Sequence, residues 1–192
     1  MNRVYLLILI FHLFVSCSRK HKIIKTEDSK KTGIRSYKFK GTIFDSAYQD
    51  IAMYIITPRF TPSTEEIFLA EKILRLEIGN ANRPRINQLG KREYIDRNLN
   101  KYFRQYVGFI NEKGHRCIHI NFHWDRFSLL DRLKGDWDDR LEYNSDYSRV
   151  LDGGSHYWKI NVDLVDKRLF GMEVNGIAWN SYIIRLVASF YC

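Results

Sequence analysis

Residues 115–123 read HRCIHINFH and set four possible metal ligands on odd positions: His115, Cys117, His119 and His123. A β-strand sends alternate side chains to one face, so all four share a side, with nearest neighbours about 6.5–7 Å apart. Imidazole and thiolate are the ligands zinc prefers, and a Cys-x-His or His-x-His pair can hold one ion. Three ligands from one straight strand cannot converge on a single ion, so zinc here needs a further donor, for which His156 is the candidate. Such a centre would support metal-dependent hydrolysis. The same alternation also describes the polar side of a half-buried strand that binds nothing.

Cysteine parity gives Cys117 a competing use. The chain has 3 Cys, at 17, 117 and 192. In an oxidising compartment, with Cys17 otherwise engaged, Cys117 and Cys192 could pair and pin the C-terminal tail. Closing so long a loop is worth about 4–5 kcal/mol in entropy models. Two free thiols are the alternative, and a disulfide would remove Cys117 as a zinc ligand.

Nucleophilic chemistry is poorly supported. Asp152-Gly153-Gly154-Ser155-His156 offers a serine beside a histidine, but adjacent residues of an extended chain face opposite ways. Neither a nucleophile-elbow motif nor a phosphate-binding glycine loop occurs, and the glycine pair reads as a turn. The acids of 131–146 lack the order of a calcium loop and are interspersed with Arg132, Lys134 and Arg140.

A basic segment holds Arg83, Arg85, Lys91, Arg92, Arg97, Lys101 and Arg104, with Tyr94, Tyr102 and Phe103 among them. It is a candidate anion-binding surface. In an exported protein, nucleic acid is not the expected partner; anionic lipid headgroups or an acidic envelope protein are.

Periodicity names the elements that position these groups. Residues 51–57 (IAMYIIT) read as a strand. Ser63 followed by Glu66 has capping-box form, and Ile67, Ala70, Ile73 and Leu74 recur at helical spacing, predicting a helix over 63–78 stopped by Gly79-Asn80. Residues 79–101 read as a loop with a short helix near 91–98, and 127–133 as one or two helical turns. One hairpin runs over 102–124 through Asn111–Gly114, and another over 158–174, with Phe170, Met172 and Val174 turned to the core. The tail 179–192 alternates as a last strand. These elements predict an α+β fold, one main helix on a curved antiparallel sheet of about five to six strands.

Composition agrees with a folded chain. Of 192 residues, 45% are hydrophobic and 15% aromatic, which excludes disorder and suits strands. The net charge is +9.

The N-terminus carries an address. Arg3 precedes an apolar run, Val4 to Val15, too short for the roughly 20 residues of a membrane span but suited to an export signal. The run ends Phe14-Val15-Ser16-Cys17, which resembles the lipobox of bacterial lipoproteins, with Phe14 where that family usually has leucine. The resemblance implies a signal peptide over 1–16, cleavage before Cys17, and lipid on that cysteine. Ser18 in the following position, by the same resemblance, implies delivery to the outer membrane. Residues 17–42, rich in Lys, Ser and Thr, then read as a lipidated basic tether, and 43–192 as a single domain.

Two broader resemblances follow. The element order looks like the cystatin/NTF2 type of roll, in which a curved sheet wraps one helix. The stretches at 57–74, 100–114 and 151–178 look like small uncharacterised bacterial lipoproteins, chains that tend to stop near Asn175-Gly176-Ile177-Ala178. That likeness implies a short exported α+β domain and no assigned activity. The expectation is a membrane-anchored, non-catalytic binding or structural lipoprotein of the cell envelope without a cofactor. A metal-dependent hydrolase or metal-binding protein, with zinc on the strand histidines, is the alternative.

Overall fold

The computed structural model describes residues 21–50, 58–125 and 143–177. They form a mixed α+β fold with one main helix, α1 (Thr64–Ala81). Eight strands make one open sheet: β1 (His21–Lys25), β2 (Lys31–Ser36), β3 (Lys40–Phe44), β4 (Arg59–Phe60), β5 (Tyr102–Ile110), β6 (Arg116–Trp124), β7 (Tyr157–Asp163) and β8 (Arg168–Val174). Their order is β1-β2-β3-β5-β6-β7-β8, and β4 pairs with β5 beyond the end of β3. Among the described residues the strand count therefore exceeds the five to six expected.

The sheet is also not wholly antiparallel. β3 and β5 run parallel, from Lys40↔Phe103 to Phe44↔Val107. A parallel pair needs a long crossover, which the segment containing α1 supplies. The short helical turns at Lys91–Glu93, Ile95–Asn98 and Leu99–Lys101 return the chain to β5, where a loop with a short helix was expected.

Residues 21–44 differ most from expectation. The segment read as a tether, 17–42, carries β1, β2 and the start of β3. Its few apolar groups are well used: Ile34 and Phe39 are buried in the main core. Lys22 and Lys25 fall on β1, an edge strand whose side chains are mostly exposed, and charge there discourages further strand pairing.

The capping box is present as predicted. Ser63 Oγ accepts the Glu66 N–H at 3.3 Å, and Glu66 Oε2 accepts the Ser63 N–H at 2.8 Å. α1 runs on through Gly79 and Asn80 to Ala81, because the Asn82 N–H still reaches the Ile78 carbonyl at 2.8 Å. Its buried stripe packs on one face of the sheet, against Ile43, Tyr106, Ile120, Phe122, Trp158 and Ile160. Phe122 and Trp158 stack there with ring centres 3.7 Å apart.

Both hairpins fall where alternation put them. Gly114 takes the predicted positive φ, +78°, in the first turn. In the second hairpin a bulge at Gly171 (φ +60°) shifts the register between Lys159 and Asn161. That shift turns Phe170 to the far face beside Phe109, while Leu169, Met172 and Val174 pack on the core. Phe170 thus departs from the predicted core set because one added residue reverses the alternation.

The strand expected at 51–57, the turns at 127–133, the tail strand 179–192, and Cys17 and Cys192 lie outside the described residues.

Candidate functional site

The predicted histidine face exists, but it is covered. His119 pairs across the sheet with Val107 and Asn161, and His123 with Phe103 and Tyr157, all on the side away from α1. Residues 143–150 cross this side. His119 Nδ1 lies 2.8 Å from Asn161 Oδ1, and its Nε2 lies 3.0 Å from the Tyr147 hydroxyl. Both nitrogens are committed, and burial lowers the imidazole to about 4. Burial lowers His123 to about 4 as well.

Ser148 Oγ sits 3.3 Å from His123 Nδ1 and 3.1 Å from Nε2. An oxygen nearly equidistant from both nitrogens lies between their lone-pair axes. Asn121 Nδ2 also reaches His123 Nε2, at 3.0 Å. This is not the geometry of a serine activated by a base. His156 packs edge-on to Trp124 with centres 4.8 Å apart. Trp124 pairs with Tyr102 on the α1 side, so His156 does not join His119.

Among the described residues the one group of three potential ligands is His115, Asp163 and Asp166, whose donor atoms lie within 4.8 Å of one another. Only His115 of this group was anticipated. Asp163 is fully buried and already occupied. Its Oδ1 accepts the N–H groups of Val165 (2.9 Å) and Asp166 (3.0 Å). Its Oδ2 takes Asn111 Nδ2 at 3.3 Å and lies 3.0 Å from His115 Nδ1. Burial alone would raise this carboxyl; the Asp166 N–H, His115 and the Val165 N–H outweigh it and hold it low. Lys113 (3.7 Å) and Arg168 (3.5 Å) flank Asp166. The cluster ties the two hairpin turns together. Cys117 is buried next to it, and burial, then Asp163, push its thiol up to about 11, away from the thiolate a zinc ligand must be.

The basic segment is not exposed throughout. Arg104 is fully buried inside the protein. Arg85 pairs with Asp96, and Arg85 and Arg97 both lie over the Tyr94 ring, at 4.2 and 5.1 Å. Lys101 lies over Trp124 at 5.2 Å. Arg83 and Lys91 are exposed.

A groove of about 350 Å³ opens elsewhere, between α1 and the β2–β3 hairpin. Phe39 and Phe68 line it edge to face, with centres 5.2 Å apart. Tyr37 (81% exposed) and Leu76 (68% exposed) form its rim. Glu71 lies at its base, buried to 2% exposure. Arg104 Nε lies 2.6 Å from Glu71 Oε1, which also accepts the Tyr106 hydroxyl at 2.9 Å. Burial and this carboxylate push the Tyr106 phenol well above its ordinary value. Glu71 Oε2 has no hydrogen-bond partner; its near cation, Arg75 Nη2, stands 3.7 Å away. Arg75 Nη2 donates instead to the Lys38 carbonyl at 2.7 Å, while Arg75 Nε has no acceptor.

This groove can bind but holds no nucleophile with a base beside it. Neither Glu71 nor Arg104 was anticipated as a buried pair. Glu71 sits within the apolar stripe Ile67, Ala70, Leu74, Ile78, and Arg104 alternates with Tyr102 and Tyr106 on the inward side of β5. A charge inside each of two apolar patterns was the available signal.

No family profile, curated protein or solved structure matches the chain.

Proposed function

We propose that the protein is a lipid-anchored, non-catalytic binding module of the bacterial envelope, held at Cys17 in the outer membrane, with the groove beside α1 as its receiving surface. The supporting observation is the contact of His21 with Phe68, ring centres 5.2 Å apart, at the groove wall. Three residues separate Cys17 from His21, and an extended chain spans at most about 14 Å between those two positions. A lipid on Cys17 therefore keeps the groove close to the headgroups.

The energetics suit this arrangement. Each buried acyl CH₂ contributes about 0.8 kcal/mol, so two or more chains anchor stably. The exposed Lys22, Lys25 and Lys30 add attraction to an anionic leaflet, about 1 kcal/mol each near the surface.

Among the described residues a metal-binding reading draws on His115, Asp163 and Asp166 alone, and there the ion would have to displace donors already in place. Growth with an alkyne fatty acid tests the anchor. The full chain takes up label and Cys17→Ala does not; label persisting in Cys17→Ala refutes the proposal.

A further inference from the structure

We infer that the groove beside α1 binds the headgroup of an aminophospholipid, with its ammonium on Glu71 and its phosphate between Lys38 and Lys72. This rests on the membrane-anchored reading.

The groove makes two opposite demands. Glu71 Oε2 is a buried acceptor without a donor, a costly condition for a carboxylate. Arg75 Nε is a buried donor without an acceptor, and Lys38 and Lys72 stand exposed at the mouth. A purely anionic ligand would suit the lysines but leave Glu71 Oε2 without a donor. A purely cationic one would suit Glu71 but meet Lys38, Lys72 and Arg75. A ligand with an N–H-bearing cation close to a phosphate satisfies both sets.

The rim selects a lipid over a free aminoalkyl phosphate. Tyr37 and Leu76 offer exposed apolar surface above the charged floor, where the glycerol and the first acyl carbons would lie. The volume, about 350 Å³, is at the small end for ligand pockets and suits a headgroup rather than a whole lipid. The wall contact of His21 puts the site beside the segment that leads to Cys17.

Native mass spectrometry of the full chain in nonionic detergent, mixed with equal amounts of phosphatidylethanolamine, phosphatidylcholine and phosphatidylglycerol, tests the inference. Phosphatidylcholine keeps the phosphate but has no N–H to give Glu71. The ethanolamine adduct is expected at least fivefold above the other two. Lys72→Glu and Leu76→Ala, both exposed on α1 and outside the core, should each lower it severalfold. Glu71→Gln is a poor probe because it also unpairs Arg104. Equal occupancy by the three lipids, no adduct, a preference for phosphatidylglycerol, or an unchanged adduct in Lys72→Glu overturns the inference. Glycerophosphoethanolamine binding as well as the intact lipid overturns the lipid assignment. Acylation of Cys17 is read separately, so either claim can fail without the other.

Discussion

Arg104 Nε of β5 lies 2.6 Å from Glu71 Oε1 of α1, with both side chains shut off from solvent. The other two Arg104 nitrogens donate to the Tyr102 and Leu99 carbonyls, each at 2.8 Å. The pair therefore ties the helix, the strand and the turn before it to one point. Removing one partner leaves a buried charge unmatched, which costs about 3–5 kcal/mol. Glu71→Gln and Arg104→Met should each destabilise by that order, and Glu71→Gln/Arg104→Met by clearly less than their sum. Urea unfolding of the four proteins measures the coupling; strictly additive effects contradict the pairing.

Acid should weaken the protein in a defined window. His119 and His123 are held neutral by burial, at about 4 against an ordinary 6.5. Between those values the unfolded chain binds protons that the native rings refuse. Their contribution is full above about pH 6.5 and is lost as pH falls towards 4. At about 1.36 kcal/mol per pH unit, each ring contributes up to about 3 kcal/mol. Urea midpoints from pH 7.5 to 4.5 should show the slope, and His119→Gln should flatten part of it. An identical slope in that variant counts against the assignment.

The capping box carries a smaller load. Ser63→Ala removes the acceptor for the Glu66 N–H and should cost about 1 kcal/mol. Glu66 also holds Arg116 of β6 at 2.6 Å, so Glu66→Ala loses a box and a link to the sheet. A denaturant midpoint shift larger for Glu66→Ala than for Ser63→Ala is expected.

Cys117 should resist chemistry. Buried, and raised to about 11, its thiol should react with iodoacetamide at pH 8 only after denaturation. Rapid modification of the native protein at Cys117, located by peptide mapping, contradicts its placement.

The long periodic segments were readable in advance. The α1 stripe and the alternation of β6 and β7 each follow from one buried face, and β5 from an apolar run buried on both. β1 to β3 were not: β1 is an edge strand, which needs few apolar groups, and in the rest Ile34 and Phe39 are too sparse to show alternation among lysines. The parallel β3–β5 pair depends on the crossover, which no local pattern records. The histidine face was read correctly as a face. Its burial was missed because Tyr147 and Ser148, more than twenty residues away in sequence, supply the cover.

Anchoring at the cysteine ahead of β1 bears most directly on the whole reading. Intact mass spectrometry of the protein extracted from its own envelope should find a chain beginning at Cys17 that carries acylglycerol mass. An unmodified chain still beginning at Met1 contradicts it.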